Sequence, residues 1–134
     1  MGRILGVGID LVDIPGLQRR MDRSPGLEQR IFAPEESAYC RSMARPIQHF
    51  AARFAAKEAV MKALGTGWAE GIEFRDVVVV RDARGAPAVR LEGEAAARLV
   101  GQGARVHLSL SHAGDTAMAV AVIEAREDRD GGDS

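Results

Sequence analysis

One cysteine, Cys40, in 134 residues excludes an internal disulfide framework and fits a reducing compartment. Aromatic residues are scarce: 4 % of the chain against 46 % hydrophobic, so the core must be built from Val, Leu, Ile and Ala. No charge sign dominates. With 18 Lys and Arg against 19 Asp and Glu, the net charge of −1 gives no global attraction to nucleic acid or membrane, and any electrostatic recognition must come from a local patch. No apolar run approaches a membrane span, and Asp10 and Asp13 interrupt the N-terminal apolar stretch that a signal peptide would need. MGRILG has Gly6 where a myristoylation signal wants Ser or Thr. These absences predict a soluble, cytoplasmic chain with neither nucleic-acid nor membrane partners. No Cys/His cluster offers a zinc site, no Ser/His/Asp order stands out, and GTGWAEG lacks the Lys-Ser/Thr ending of a Walker loop.

What is present centres on Phe50 to Gly67, FAARFAAKEAVMKALGTG. It is rich in Ala, Leu, Met and Lys, free of proline, and stopped by Gly65. At about 100° per residue, Phe50, Phe54, Val60, Met61 and Leu64 form one broad apolar arc. Arg53 and Lys57 fall inside that arc, Glu58 and Lys62 lie at its edge four apart, and an alanine face allows close backbone packing. Either the two embedded cations snorkel over the core, or the arc lines a cleft where cations await an anion and Glu58 a metal. The helix alone leaves both open.

Ile4 to Ile14 reads as a buried strand, apolar on both parities and therefore covered on both faces. Gly6 and Gly8 share a parity with Asp10, which predicts an open lane beside that carboxylate. An acid on the apolar side of a strand must be paired, capped or metal-bound, or else mark a bulge. Pro15 opens a short helix to Arg23 bearing Arg19, Arg20 and Arg23. Ala33-Pro34-Glu35-Glu36 opens another, where the helix dipole alone accounts for Glu36. Strands follow at about Ile72 to Arg81 and Ala88 to Leu91 around an Asp82 to Gly85 turn, then a helix from Glu92 to Val100. Two final strands, Arg105 to His112 and Thr116 to Glu124, flank the turn Ala113-Gly114-Asp115. Residues 1–125 thus form a single domain, and 126–134 (REDRDGGDS) read as a charged, disordered tail.

Asp10 and Glu58, two acids on separate elements where an unpaired charge is costly, with Arg53, Lys57 and Lys62 near the second, describe a site for Mg²⁺ and phosphate. His112, beside a Gly-Asp turn, reads either as a satisfied histidine or as a base.

GVGIDLVDI, FAARFAAKEAVMKALGTG and HLSLSHAGDTAMAVAVIE, in that order, resemble the motifs of holo-acyl-carrier-protein synthases, the small single-domain class of 4′-phosphopantetheinyl transferases. The resemblance spans residues 4 to 124. It implies an α+β fold in which an antiparallel sheet packs against one long central helix. It implies transfer of phosphopantetheine from coenzyme A to a serine of an apo acyl carrier protein, with release of adenosine 3′,5′-bisphosphate. By motif match, Asp10 and Glu58 are the Mg²⁺ ligands. Arg53, Lys57 and Lys62 fall where the family holds phosphates, Gly65 where the chain turns near the cofactor, and His112 and Arg45 on further positions beside coenzyme A. Glu58, directly or through a metal-bound water, is the expected proton acceptor, with His112 second. Homotrimers with the site between subunits, and carrier docking on Arg19, Arg20 and Arg23, complete the implication. In place of a basic residue of the family, this chain has Gly16. Two rival readings are a non-catalytic coenzyme A or nucleotide-binding subunit and a Mg²⁺-dependent phosphohydrolase on the same fold.

Overall fold

The computed structural model describes residues 2–65, 71–99 and 103–126. Among them β1 (Gly2–Asp13) leads into α1 (Ile14–Arg23), α2 (Leu27–Ile31), α3 (Pro34–Arg41) and the long α4 (Pro46–Leu64). A 3₁₀ turn (Phe74–Asp76), β2 (Val77–Arg81), β3 (Pro87–Leu91), α5 (Gly93–Leu99), β4 (Ala104–Ala113) and β5 (Thr116–Arg126) follow. The strands form two antiparallel sheets, one ordered β1-β5-β4 and one β2-β3. The expected α+β class holds, with two sheets where one was expected.

The central helix is longer at its start than the sequence suggests. Pro46 occupies its first turn, where its missing N–H is no loss, so the helix begins just after Arg45. Its end is as expected: Gly65 has φ 79°, a left-handed conformation that favours glycine, and its N–H closes on the Met61 and Lys62 carbonyls. The short α2 and the 3₁₀ turn have no sequence signature strong enough to predict. Thr66 and Gly67 of the glycine turn, and the tail from residue 127, lie outside the described residues. The last strand runs on through Arg126.

Helix α4 is buried on nearly all sides, against α3 and β2 on one flank and the three-stranded sheet on the other. The sheet meets it with small residues: Ala117, Ala119 and Ala121 of β5 are buried, in register with Val12, Asp10 and Gly8 of β1. The lane beside Asp10 is therefore not open. A Cβ on Gly8 would stand 2.0 Å from the Ala59 carbonyl oxygen, and one on Gly6 1.9 Å from that of Ala63. Glycines on the strand and alanines on the helix let the two backbones touch. The opposite face of the sheet is uncovered in the single subunit: Ile4, Val7, Ile9 and Leu11 are 55–61 % exposed, and Met118 is exposed beside them.

Candidate active site

The close approach of β1 and α4 brings Asp10 and Glu58 together. Burial pushes the Glu58 carboxyl up to about 7, aided by its hydrogen bond to Asp10 and by that neighbour's negative charge. Lys62 does not close the expected i,i+4 pair with Glu58. It reaches across to Asp10 Oδ1 at 2.6 Å and to the Ile9 carbonyl at 3.0 Å. The resulting constellation is two facing acids and one cation, exposed enough on the Lys62 side to admit a ligand.

Two hollows flank Glu58. One, of 380 Å³, runs between the end of β1 and α1 and is lined by Asp13, Gly16, Arg19, Arg20, Arg23 and Phe54. The other, of 670 Å³, lies beyond Phe54, with Leu27, Ile31 and Phe74 in its wall and Arg20, Arg30 and Arg75 on its rim. Arg20 belongs to both. Its guanidinium sits 5.9 Å from the Phe54 ring centre and its charge reaches Glu58, a placement that helix periodicity alone did not reveal. Asp13 caps α1 by accepting from Gly16 N at 3.0 Å and lies 3.7 Å from Arg19. The gap at Gly16 is thus filled by a capping carboxylate: a Cβ there would meet Asp13 Oδ2 at 2.6 Å. A larger groove of 710 Å³ separates β3 from β4 and contains none of the expected site residues.

The remaining cations stand elsewhere. Arg53, five residues before Glu58, is turned roughly 140° from it about the helix axis. Its guanidinium stacks 4.2 Å from the Tyr39 ring centre, and Arg81 stands 5.0 Å from the same ring. His49 meets that ring edge-on at 5.9 Å, and burial together with the charges of Arg53, Arg81 and His112 holds its pKa below the ordinary histidine value. His112 is near enough to act electrostatically on His49. It lies two strands from Asp10 on the same face of the sheet, roughly 10 Å across at ordinary strand spacing. Arg45, exposed at the N-cap of α4, is about 20 Å from Glu58 along the helix at 1.5 Å per residue.

The expectation that Lys57 reaches a phosphate does not hold in this structure. Its side chain is fully buried, and its three protons go to Glu36 Oε1 at 2.6 Å and to the Phe74 and Val77 carbonyls at 3.1 and 2.5 Å. Burial lowers its pKa and the Glu36 charge opposes that shift. Glu36 is correspondingly more than a dipole acid. A lysine set among alanines on a buried helix was the available sign of an interior partner.

The donor set suits Mg²⁺. No group of three or more His, Cys, Asp or Glu that could hold a metal exists among the described residues, but two apposed carboxylates are what Mg²⁺ commonly takes from protein, with water and phosphate oxygens completing its shell. A cation between Asp10 and Glu58 would also relieve the repulsion that adds to burial in raising the Glu58 pKa.

The fold is that of a small α+β domain with an acid pair beside a cation and two arginine-lined hollows. The sequence model of the 4′-phosphopantetheinyl transferase superfamily matches residues 6–121, and the chain belongs to that family. Within it, the chain is 47 % identical over 124 residues to the holo-[acyl-carrier-protein] synthase of Trichlorobacter lovleyi, covering 91 % of this chain and 98 % of that one. Among solved structures, it resembles the acyl carrier protein synthase of Mycobacterium tuberculosis with a TM-score of 0.74 and 44 % identity, over 92 % of this chain and 100 % of that one. A coenzyme A complex from Chronobacterium ammoniagenes superposes with a TM-score of 0.79 at 31 % identity, over 91 % and 98 % of the two chains. Among the described residues no helix is long and apolar enough to cross a membrane.

Proposed function

We infer that this protein is a holo-[acyl-carrier-protein] synthase, transferring 4′-phosphopantetheine from coenzyme A to a serine of an apo acyl carrier protein and releasing adenosine 3′,5′-bisphosphate. The observation that carries the chemistry is the facing pair Asp10 and Glu58 with Lys62 alongside, on the fold of relatives named for that activity. Asp10 and Glu58 would hold Mg²⁺. When bound, it would supply positive charge to the diphosphate and to the bisphosphate leaving group.

The residues of the chain do the rest. Lys62, exposed above Asp10, adds a positive charge for the diphosphate oxygens. Glu58, which borders the hollow between β1 and α1 beside Asp10, accepts the proton of the carrier serine as its oxygen attacks phosphorus. The bond from that phosphorus to the oxygen of the bisphosphate leaving group breaks. Arg53, His112 and Arg45, on the opposite flank, bind the phosphorylated nucleotide end, and Gly65, at the other end of α4 beyond Lys62, is where the chain turns near the cofactor. We assign His112 to the nucleotide end because it lies two strands from Asp10, which disfavours it as proton acceptor within one subunit.

The site extends between subunits. The exposed apolar sheet face would be buried in a homotrimer, and the angular separation of Arg53 from Glu58 suits one coenzyme A bridging two copies. The acidic carrier docks on Arg19, Arg20 and Arg23, whose hollow opens at Glu58. We read the enzyme as cytoplasmic and its carrier as one of fatty acid biosynthesis, with a polyketide carrier as the alternative. The test is bisphosphate release. It must require both Mg²⁺ and a carrier with its serine, whereas a phosphohydrolase would release product without carrier and a binding subunit would release none.

A further inference from the structure

Glu36 and Lys57 take no part in the transfer, yet they form the only fully buried ion pair among the described residues. They are 1 % and 0 % exposed, and their charged groups are satisfied within the fold. Glu36 Oε1 accepts from Lys57 at 2.6 Å and from Ala33 N at 2.9 Å, Oε2 accepts from Val79 N at 2.9 Å, and Lys57 closes on the Phe74 and Val77 carbonyls. One contact thus bolts α3, α4 and β2 together. Buried ion pairs seldom stabilise a fold beyond what apolar side chains of the same volume would achieve. This pair also satisfies four buried backbone groups, which ties its geometry to the relative placement of α3, α4 and β2.

Each bolted element carries a member of a cationic cluster one step away. Tyr39 follows Glu36 by three residues on α3, Arg53 precedes Lys57 by four on α4, and Arg81 follows Val79 by two on β2. These spacings keep each on the same face as the bolted residue. Tyr39 is the ring that both guanidiniums share, at 4.2 and 5.0 Å from its centre, and Arg81 also donates to the Gly85 carbonyl at 2.6 Å. Among the described residues neither arginine has a carboxylate partner in an ion pair, and the Nε of Arg53, itself 5 % exposed, finds no hydrogen-bond acceptor. Two like charges gathered on one ring need a rigid support to stay in place.

We propose that Glu36 and Lys57 are positioning residues: through Tyr39 their buried pair sets the spacing of Arg53 and Arg81, and that spacing governs affinity for the phosphorylated nucleotide end of coenzyme A. The inference rests on the functional reading above. It gives Lys57 an influence on substrate without contact, and adds Arg81 to the residues facing the nucleotide end.

The experiment is steady-state kinetics on the full chain with both substrates varied. Tyr39→Leu removes the shared ring and raises KM for coenzyme A about five- to thirtyfold, the factor expected when two guanidiniums lose their support and must be ordered on binding. Its kcat and its KM for carrier stay within about twofold, since nothing in this cluster touches the reacting atoms. Tyr39→Phe keeps the ring and loses a hydroxyl that has no partner among the described residues, so it restores the wild-type KM. The double variant Glu36→Met with Lys57→Met replaces the pair by apolar side chains of similar volume. It leaves the Ala33 and Val79 N–H groups and the Phe74 and Val77 carbonyls without these partners, so it melts below the wild type. Assayed at a temperature where it is folded, it shows the same selective rise in KM for coenzyme A. An unchanged KM in Tyr39→Leu, or in the folded double variant, overturns the proposal, as does a fall in kcat that matches the rise in KM. If the double variant does not fold, the Tyr39→Leu and Tyr39→Phe comparison decides alone. Wild-type transfer with unaltered KM in these variants rejects only this inference, whereas absence of transfer by the wild type rejects the reading beneath it.

Discussion

Gly8 of β1 and Ala59 of α4 meet backbone to backbone, so close that a Cβ on the glycine would lie 2.0 Å from the alanine carbonyl oxygen. Asp10 is two residues along the strand from Gly8, and Glu58 is the helix neighbour of Ala59. The contact that closes the core therefore also sets the separation of the two acids. Gly8→Ala must push strand and helix apart, costing about 1–3 kcal/mol as overpacking does. It should also lower Mg²⁺-dependent transfer at a temperature where the variant remains folded. Urea denaturation with a parallel activity assay checks this, and wild-type values in both would contradict it.

Alanine at either Asp10 or Glu58 should reduce transfer by more than about a hundredfold, the upper end of what losing a mere supporting group of a metal site costs. EDTA should do the same to the wild type, and added Mg²⁺ should reverse it. Persistent activity in both single variants at saturating coenzyme A would remove the metal assignment.

The acid pair also predicts how stability varies with pH when metal is chelated. The folded-state pKa of Glu58 is raised from 4.5 to about 7, so the folded protein holds that proton more tightly than the unfolded chain. Its stabilising contribution is full below about 4.5 and is lost as pH rises through about 7. In EDTA, the melting temperature of the wild type should therefore fall relative to Glu58→Gln across that window, and Mg²⁺ should flatten the difference. Parallel curves for the two proteins would refute the coupling.

The uncovered face of the three-stranded sheet should be where copies meet. Ile9→Lys with Leu11→Lys places two charges on it without touching the core, since both side chains are more than half exposed in the single subunit. Light scattering should report a trimer for the wild type and a smaller species for the double variant, with activity lost alongside. A stable, active wild-type monomer would contradict both the assembly and the shared site.

Arg19, Arg20 and Arg23 line the hollow that opens at Glu58. Changing all three to Glu should raise KM for carrier strongly, leave coenzyme A affinity nearly intact and flatten the dependence on ionic strength, because exposed rim charges act mainly on encounter. Wild-type use of carrier at low salt by the triple variant would make these arginines an ordinary solvated face.

The sequence made some of this legible and hid the rest for physical reasons. The strand bearing Asp10, the central helix, its Gly65 stop and the two last strands were readable because apolar runs and a left-handed glycine leave local signatures. The partner of Lys62 was not, since the 52 residues that separate it from Asp10 carry no mark of their contact. The same holds for Lys57: helical spacing put it with the cations, and only the packing of α3 and β2 shows that Glu36 claims it. Gly6 and Gly8 suggested room where there is none, because an absent side chain signals an open lane and a backbone contact equally well. Tyr39, the lone tyrosine, gave no hint of two arginines around its ring.

The most direct measurement is the intact mass of an apo acyl carrier protein after incubation with this protein, coenzyme A and Mg²⁺. The account predicts that the carrier gains the mass of one phosphopantetheine on its serine, that a serine-to-alanine carrier gains none, and that Glu58→Ala fails to modify either. A wild-type carrier that emerges with unchanged mass from a folded, Mg²⁺-loaded enzyme at saturating coenzyme A would contradict it.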